Sequence, residues 1–353
     1  MMKKVIFVLL IGALLAGCAA KPVGPQTLTV MTHDSFAISE SLVTQFESEY
    51  DVTLIFLKSG DTGSALNRAI LTKGSTEADV FYGVDNTFLS RALEEDLFVS
   101  YASPALEQIP AEFKLDDQNR ALPVDYGDVC INYDKAYFAS RDLALPQSLD
   151  DLLKPEYGQG SGNEGLLVVE NPAVSSPGLA FLLATIAQYG EEGYLDYWQA
   201  LKDNGLVVVN DWSTAYYTNF SGSSGKGAQP MAVSYASSPA VEVVYASTPI
   251  TDAPTASLVG DGMCFRQIEF VGILKGTKNE KLAQSFVDFM LGKDFQEDMP
   301  LQMFVYPVNP EAVLPEVYVK YNQVPETTGS LDAQLIAEKR DVWIQAWMDT
   351  VLR

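Results

Sequence analysis

The chain has 353 residues, with 46 aspartates and glutamates against 23 lysines and arginines and a formal net charge of −23 at neutral pH. Such a surplus of acid repels phosphate backbones and anionic lipid surfaces and favours cationic ligands, so no nucleic-acid partner is expected. The length exceeds what one hydrophobic core usually supports, which calls for two lobes. The single histidine, His33, and the lack of a GxSxG elbow, a P-loop, a GxGxxG fingerprint or a zinc-ligand cluster leave no catalytic motif. No cofactor and no metal are expected.

Lys3 and Lys4 precede the apolar run 5–15, a secretory n-region and h-region too short to span a bilayer comfortably. The segment ends Leu14-Leu15-Ala16-Gly17-Cys18, and small residues directly before a cysteine resemble the lipobox of bacterial lipoproteins. That resemblance implies a signal peptide of residues 1–17, lipidation of Cys18 and anchoring through two lipid signals. Residues 18–26, with Pro22, Gly24 and Pro25, then form a tether. Loss of Lys3 and Lys4, with no acid, takes the mature charge to −25.

The mature chain opens as a βαβ unit: a strand at 27–31, a helix at 39–48 and a strand at 52–57. A helix at 64–72, a strand at 78–82 and a helix at 86–93 continue an open, mainly parallel α/β sheet. Ligands of such sheets sit beyond the C-terminal strand ends, so the loops 33–39, 59–63 and 83–86 are the ones to watch. Residues 122–133 have strand composition without a following helix and read as a crossover between lobes. The alternation then repeats, with strands at 166–170, 206–209 and 231–235 and helices at 177–189, 192–204 and near 213–220. Residues 221–227, rich in serine and glycine, read as a mobile surface loop. The extended stretch 263–274 returns to the first lobe. Amphipathic helices follow at 278–290 and 335–351, with Phe286, Phe289, Val342 and Trp347 on their apolar faces.

Residues 171–181, NPAVSSPGLAF, join a buried strand to a helix. Ser175 or Ser176 can serve as N-cap with Pro177 at the first helical position, and Gly178 permits a close backbone approach. A helix start of this kind is either an ordinary cap or an anion or polar-ligand site, because its first amides are unpaired. Trp212, Tyr216, Tyr217 and Tyr235 fall at or just after strand ends in the second lobe, and Asp34, Asp61, Asp85 and Asp125 at strand ends in the first. Aromatic faces opposite carboxylates suit a flat cation, whereas any one of these rings alone is an ordinary core residue.

The stretches VMTHDSF (30–36), DTGSALNR (61–68), LPVDYG (122–127), NPAVSSPGLAFLL (171–183), DWSTAY (211–216), VSYASSPA (233–240) and VYPVN (305–309) resemble the successive motifs of the thiamine-binding proteins of ABC importers. The resemblance spans nearly all of the mature chain. It implies a two-lobed, type II periplasmic-binding-protein-like α/β fold, mainly parallel sheets flanked by helices, with the ligand in the interlobe cleft. Residues 27–126 with 268–353 would form a discontinuous first lobe and 127–267 the second. Asp61 matches the family's cleft carboxylate, Ser175 the serine at the helix start, and Trp212 and Tyr235 the ring-contacting aromatics. His33, Ser35, Asp85, Tyr126, Ser176, Tyr216 and Phe304 complete the candidate set. Three positions depart from the family pattern: His33 and Val241 stand where it has tyrosines, and Phe304 where it has a tryptophan.

The function implied is a lipid-anchored, monomeric extracytoplasmic receptor that captures thiamine or a thiamine phosphate and delivers it to an ABC permease. Another cationic or aromatic solute, or ferric ion, is the alternative ligand. A thiaminase-like transferase with Cys130 as nucleophile is the alternative class. Crossing strands in such proteins run side by side, so Cys130 and Cys264 form either a disulfide across the hinge or two separate buried thiols.

Overall fold

The computed structural model describes residues 26–158, 165–223 and 226–353. The signal peptide, Cys18 and all but the last residue of the tether lie outside the described residues.

Eleven strands form one sheet. In chain order they are β1 (Gln26–Thr32), β2 (Val52–Lys58), β3 (Val80–Asp85), β4 (Phe98–Val99), β5 (Leu122–Asp134), β6 (Leu167–Glu170), β7 (Val207–Val209), β8 (Met231–Tyr235), β9 (Thr255–Leu258), β10 (Phe265–Leu274) and β11 (Tyr306–Pro307). The helices are α1 (Glu40–Tyr50), α2 (Thr62–Leu71), α3 (Leu89–Glu94), α4 (Lys135–Arg141), α5 (Ser176–Asp203), α6 (Ser238–Val244), α7 (Glu280–Leu291), α8 (Lys293–Gln302), α9 (Glu316–Tyr321) and α10 (Ala333–Val351).

The main path runs β2-β1-β3-β10-β5-β8-β6-β7. At each end the strands are parallel, β1 with β2 and β3, and β6 with β7 and β8. The two long strands between, β10 and β5, run antiparallel to each other and to their outer neighbours. They are the crossovers read from 122–133 and 263–274. Both are buried along nearly their whole length. Cys130 of β5 and Cys264, just before β10, are joined by a disulfide with their Cα atoms 4.4 Å apart.

The two helices expected at 177–189 and 192–204 are both present within α5, separated at Gly190, whose φ of 73° and ψ of 173° are not helical. Two differences from the sequence reading have physical causes. The segment near 213–220 is a π-helical turn over Thr214–Asn219, a wound-out geometry frequent at functional sites. Within the expected mobile loop, Ser223 is buried and its hydroxyl bonds to the Tyr216 carbonyl; residues 224 and 225 lie outside the described residues.

The C-terminal helix corrects one expectation. Its 3.6-residue period buries Ile336, Arg340, Trp343, Ile344, Trp347 and Val351 on one face, which leaves Val342 63% exposed on the other. The buried face packs against α5: Trp347 meets Trp198 edge-on at 5.4 Å, and Lys202 Nζ donates to the Thr350 carbonyl at 2.8 Å. Arg340 donates to Ser90 Oγ at 3.3 Å and lies over the Phe88 ring. An amphipathic helix shows that it has a buried face but not what the face meets.

Candidate ligand-binding cleft

A cavity of about 290 Å³ opens between the two ends of the sheet. That is near the lower end of the range for small-molecule sites. Its acidic side is built from strand ends and the helix starts that follow them. Asp61 ends the loop after β2 and caps α2: its Oδ1 accepts from Thr62 N at 2.8 Å, and its Oδ2 accepts from Trp212 N at 3.3 Å. His33, in the loop after β1, places Nε2 3.5 Å from Glu269 Oε1. Ser35 Oγ lies 3.4 Å from Ser213 Oγ across the cleft.

The opposite wall is aromatic. Trp212 stacks on Tyr216 at 5.1 Å with 14° between their planes, while Tyr217 and Phe304 meet it edge-on at 5.4 and 5.9 Å. Trp212 Nε1 donates to Ser234 Oγ at 3.0 Å, which fixes the ring. Phe304 is held with φ at 63°, and Ser237 Oγ donates to its carbonyl; a bulky residue in the left-handed region is strained, a condition that clusters at ligand clamps. Tyr235 lies flat against β5. A Cβ added to Gly127 would come 2.6 Å from the ring, so only glycine admits the tyrosine there. Its hydroxyl accepts from Gln267 Nε2 at 2.9 Å.

Of the candidate residues, Asp61, His33, Ser35, Ser176, Trp212, Tyr235 and Phe304 line the cavity. Ser175 does not: it is the fully buried N-cap of α5, beside Asp61, and Pro177 is the second helical residue rather than the first. Asp85 is buried beneath the cleft, where its Oδ2 accepts from Ser176 Oγ. Tyr216 is fully buried behind Trp212. Tyr126 faces away, because alternate side chains of a strand point to opposite faces. Its neighbour Asp125 points inward to Tyr82 Oη at 2.6 Å, while Tyr126 stacks between Phe113 and Tyr306 with Arg266 over its ring. Val241, one of the three departures, packs with Ala240 and Tyr318 in a separate cluster. Lys58, Tyr217, Gln302, Met303 and Glu269 also line the cavity. Glu269 had a legible signal, the one acid of β10, next to the apolar run 270–274.

The cleft is acidic and dry. Burial raises the Asp61 carboxyl, and His33, the Ser175 hydroxyl and the amides of Thr62 and Trp212 pull it back. Burial lowers His33, against the pull of Asp61 and Asp125, so the imidazole is neutral at pH 7. Burial pushes Glu269 up to about 8 and Asp125 well above the carboxylate range. Among the described residues lining the cavity, Lys58 is the one lysine or arginine, and its Nζ is bonded to the Asp34 carbonyl at 2.9 Å. Acids on one side of the cavity thus face aromatic rings on the other.

A sequence profile of the bacterial extracellular solute-binding proteins matches residues 75–325. The chain belongs to that family. Relatives in Salmonella typhimurium and Escherichia coli, each named a thiamine-binding periplasmic protein, are 30% identical over 345 residues, which is 96% of this chain and 98% of each relative. A solved periplasmic thiamin binding protein superposes with a TM-score of 0.80 at 28% identity, over 93% of this chain and 96% of that one. The ferric ion-binding protein A of Pasteurella haemolytica shares the fold at a TM-score of 0.71 and 18% identity, over 93% of this chain and 98% of that one. The fold of this solute-binding protein is accordingly that of the type II periplasmic binding proteins, two lobes about an interlobe cleft.

It is an extracytoplasmic receptor for a small solute and not an enzyme. The transferase alternative also fails on chemistry: Cys130 is fully buried and its sulfur is spent in the disulfide with Cys264, so no thiolate is available for attack.

Proposed function

We propose that this receptor captures thiamine in the interlobe cleft and hands it to the permease of an ABC importer. The observation that carries the reading is the pairing of one aromatic wall, Trp212, Tyr217, Tyr235 and Phe304, with the carboxyls of half-buried Asp61 and buried Glu269. A thiazolium is flat, apolar on its faces and permanently positive, and cation–π contact with a desolvated ring contributes about 0.5 to 2 kcal/mol. The names of the relatives support the same solute.

Ser176, at the start of α5 and on the cavity, would meet the hydroxyethyl end of the ligand or a phosphate ester there. The receptor works as a monomer whose lobes close over the solute, tethered to the membrane through lipidated Cys18. Mass spectrometry of ligand co-purified with the mature, unlipidated protein, followed by calorimetry with thiamine and thiamine phosphate, tests the assignment. Tight binding of either supports it, and no heat with either refutes it. Recovery of the wild-type protein in membranes and of a Cys18→Ala variant in the soluble fraction tests the anchor.

A further inference from the structure

Glu269 is the one cavity-lining acid that comes from a crossing strand rather than from a loop. Its register partners are Asp85 of β3 on one side and Asp125 of β5 on the other. Pairing with β5 shifts directly after Glu269, and pairing with β3 shifts one residue later. Bulges of this kind bend a strand and re-aim a side chain, and here the carboxyl reaches the cavity floor while remaining 4% exposed.

The groups that face it are acids or neutral. His33 Nε2 lies 3.5 Å from its Oε1, and the Tyr82 hydroxyl lies 3.2 Å from its Oε2. Asp85 and Asp61 add like charge around it, the Asp125 carboxyl hydrogen-bonds with it, and the Tyr235 hydroxyl faces the same space. None of these six neighbours is a lysine or arginine. A buried carboxyl among carboxyls takes a proton, since burial and like charge both oppose its ionised form.

We propose that Glu269 is a specificity-determining residue: it holds a proton while the cleft is empty and releases it to solvent when a cationic ring settles on the cavity floor, coupling capture to the loss of one proton. This rests on the cationic-ligand reading above. The step balances without a co-reactant: the carboxyl O–H bond breaks, the proton passes to water or buffer, and the carboxylate is neutralised by the fixed charge of the ligand, whose own bonds are unchanged. Burial pushes the group up to about 8, so the proton is in place at pH 7. A neutral ring of the same shape would leave the proton where it is and gain no ionic contact.

Calorimetry of thiamine binding to the mature protein at pH 7, in buffers of small and large ionisation enthalpy, reads the proton directly. The expected result is close to one proton released per thiamine, with affinity rising about tenfold per pH unit below the carboxyl's titration and levelling above it. Glu269→Gln should bind with no proton released and a flat pH profile. Thiamine binding without buffer dependence overturns the inference and leaves the ligand assignment standing; no thiamine binding at all overturns both. A Glu269→Gln protein that still releases the proton also overturns it. Infrared difference spectra of ligand-free wild type against Glu269→Gln are a second check: a protonated-carboxyl band at pH 7 that the variant lacks is expected, and its absence from the difference overturns the inference.

Discussion

Asp61 carries two burdens, since its oxygens cap α2 and also accept the Trp212 amide from the other lobe. An ionised carboxylate has about four acceptor sites, so capacity remains for a ligand. Asp61→Asn keeps the shape, removes the charge and gives up an acceptor, and hydrogen bonds to charged groups contribute about 1.5 to 3 kcal/mol. The expected outcome is at least tenfold weaker thiamine binding by calorimetry, with the helix intact by circular dichroism. Glu170, at the end of β6, is fully buried with neither carboxylate oxygen hydrogen-bonded. Burial, reinforced by Asp61, raises it well above its usual range. Below roughly pH 4.3 the folded and unfolded forms are both protonated there. Above it the unfolded chain loses the proton while the folded protein keeps it. Stability therefore falls with rising pH, by up to about 1.4 kcal/mol per unit, until the folded carboxyl ionises. Thermal melts from pH 4 to pH 8 should decline more steeply for the wild type than for Glu170→Gln.

At the scale of elements, α2 and the loop before α5 meet backbone to backbone. Gly63 N donates to the Val174 carbonyl at 2.9 Å, and a Cβ on Gly63 would sit 2.9 Å from the Val174 Cα. With the Asp61–Trp212 and Ser35–Ser213 contacts, this seam joins the two sides of the cleft. Gly63→Ala should cost closure about 1 to 3 kcal/mol, seen as faster ligand release in stopped-flow traces with an unchanged ligand-free melting temperature. Apolar runs and turn residues made most strands and helices legible in the sequence, including the crossing pair β5 and β10. The aromatic wall was legible because Trp212 and Tyr235 follow strand ends. That Tyr126 faces away from the cavity was not legible, because the face of a strand residue depends on register, which adjacent sequence does not fix. Nor was the depth of Ser175 and Asp85 beneath the cavity, because strand-end position says nothing about depth.

For the molecule as a whole, the disulfide ties the two crossing strands at one point and encloses 134 residues of sequence separation. Closing so long a loop restricts the unfolded chain far more than the folded one and contributes about 2 to 4 kcal/mol. A Cys130→Ser, Cys264→Ser double variant should unfold at lower denaturant, and reductant should lower the wild-type midpoint toward it while leaving the variant unmoved. The bridge need not resist closure, because hinge motion of this architecture is absorbed by a few residues. The helix α10 sets a second boundary condition, since it rides on α5 and also reaches Ser90 beside α3 through Arg340.

The docking of α10 on α5 also divides the four tryptophans of the chain. Trp198, Trp343 and Trp347 are sealed at or beside that junction, at most 2% exposed, whereas Trp212 alone forms part of the cavity wall. The protein therefore carries its own optical gauge: three emitters report the integrity of the fold, and one reports what stands in the cleft.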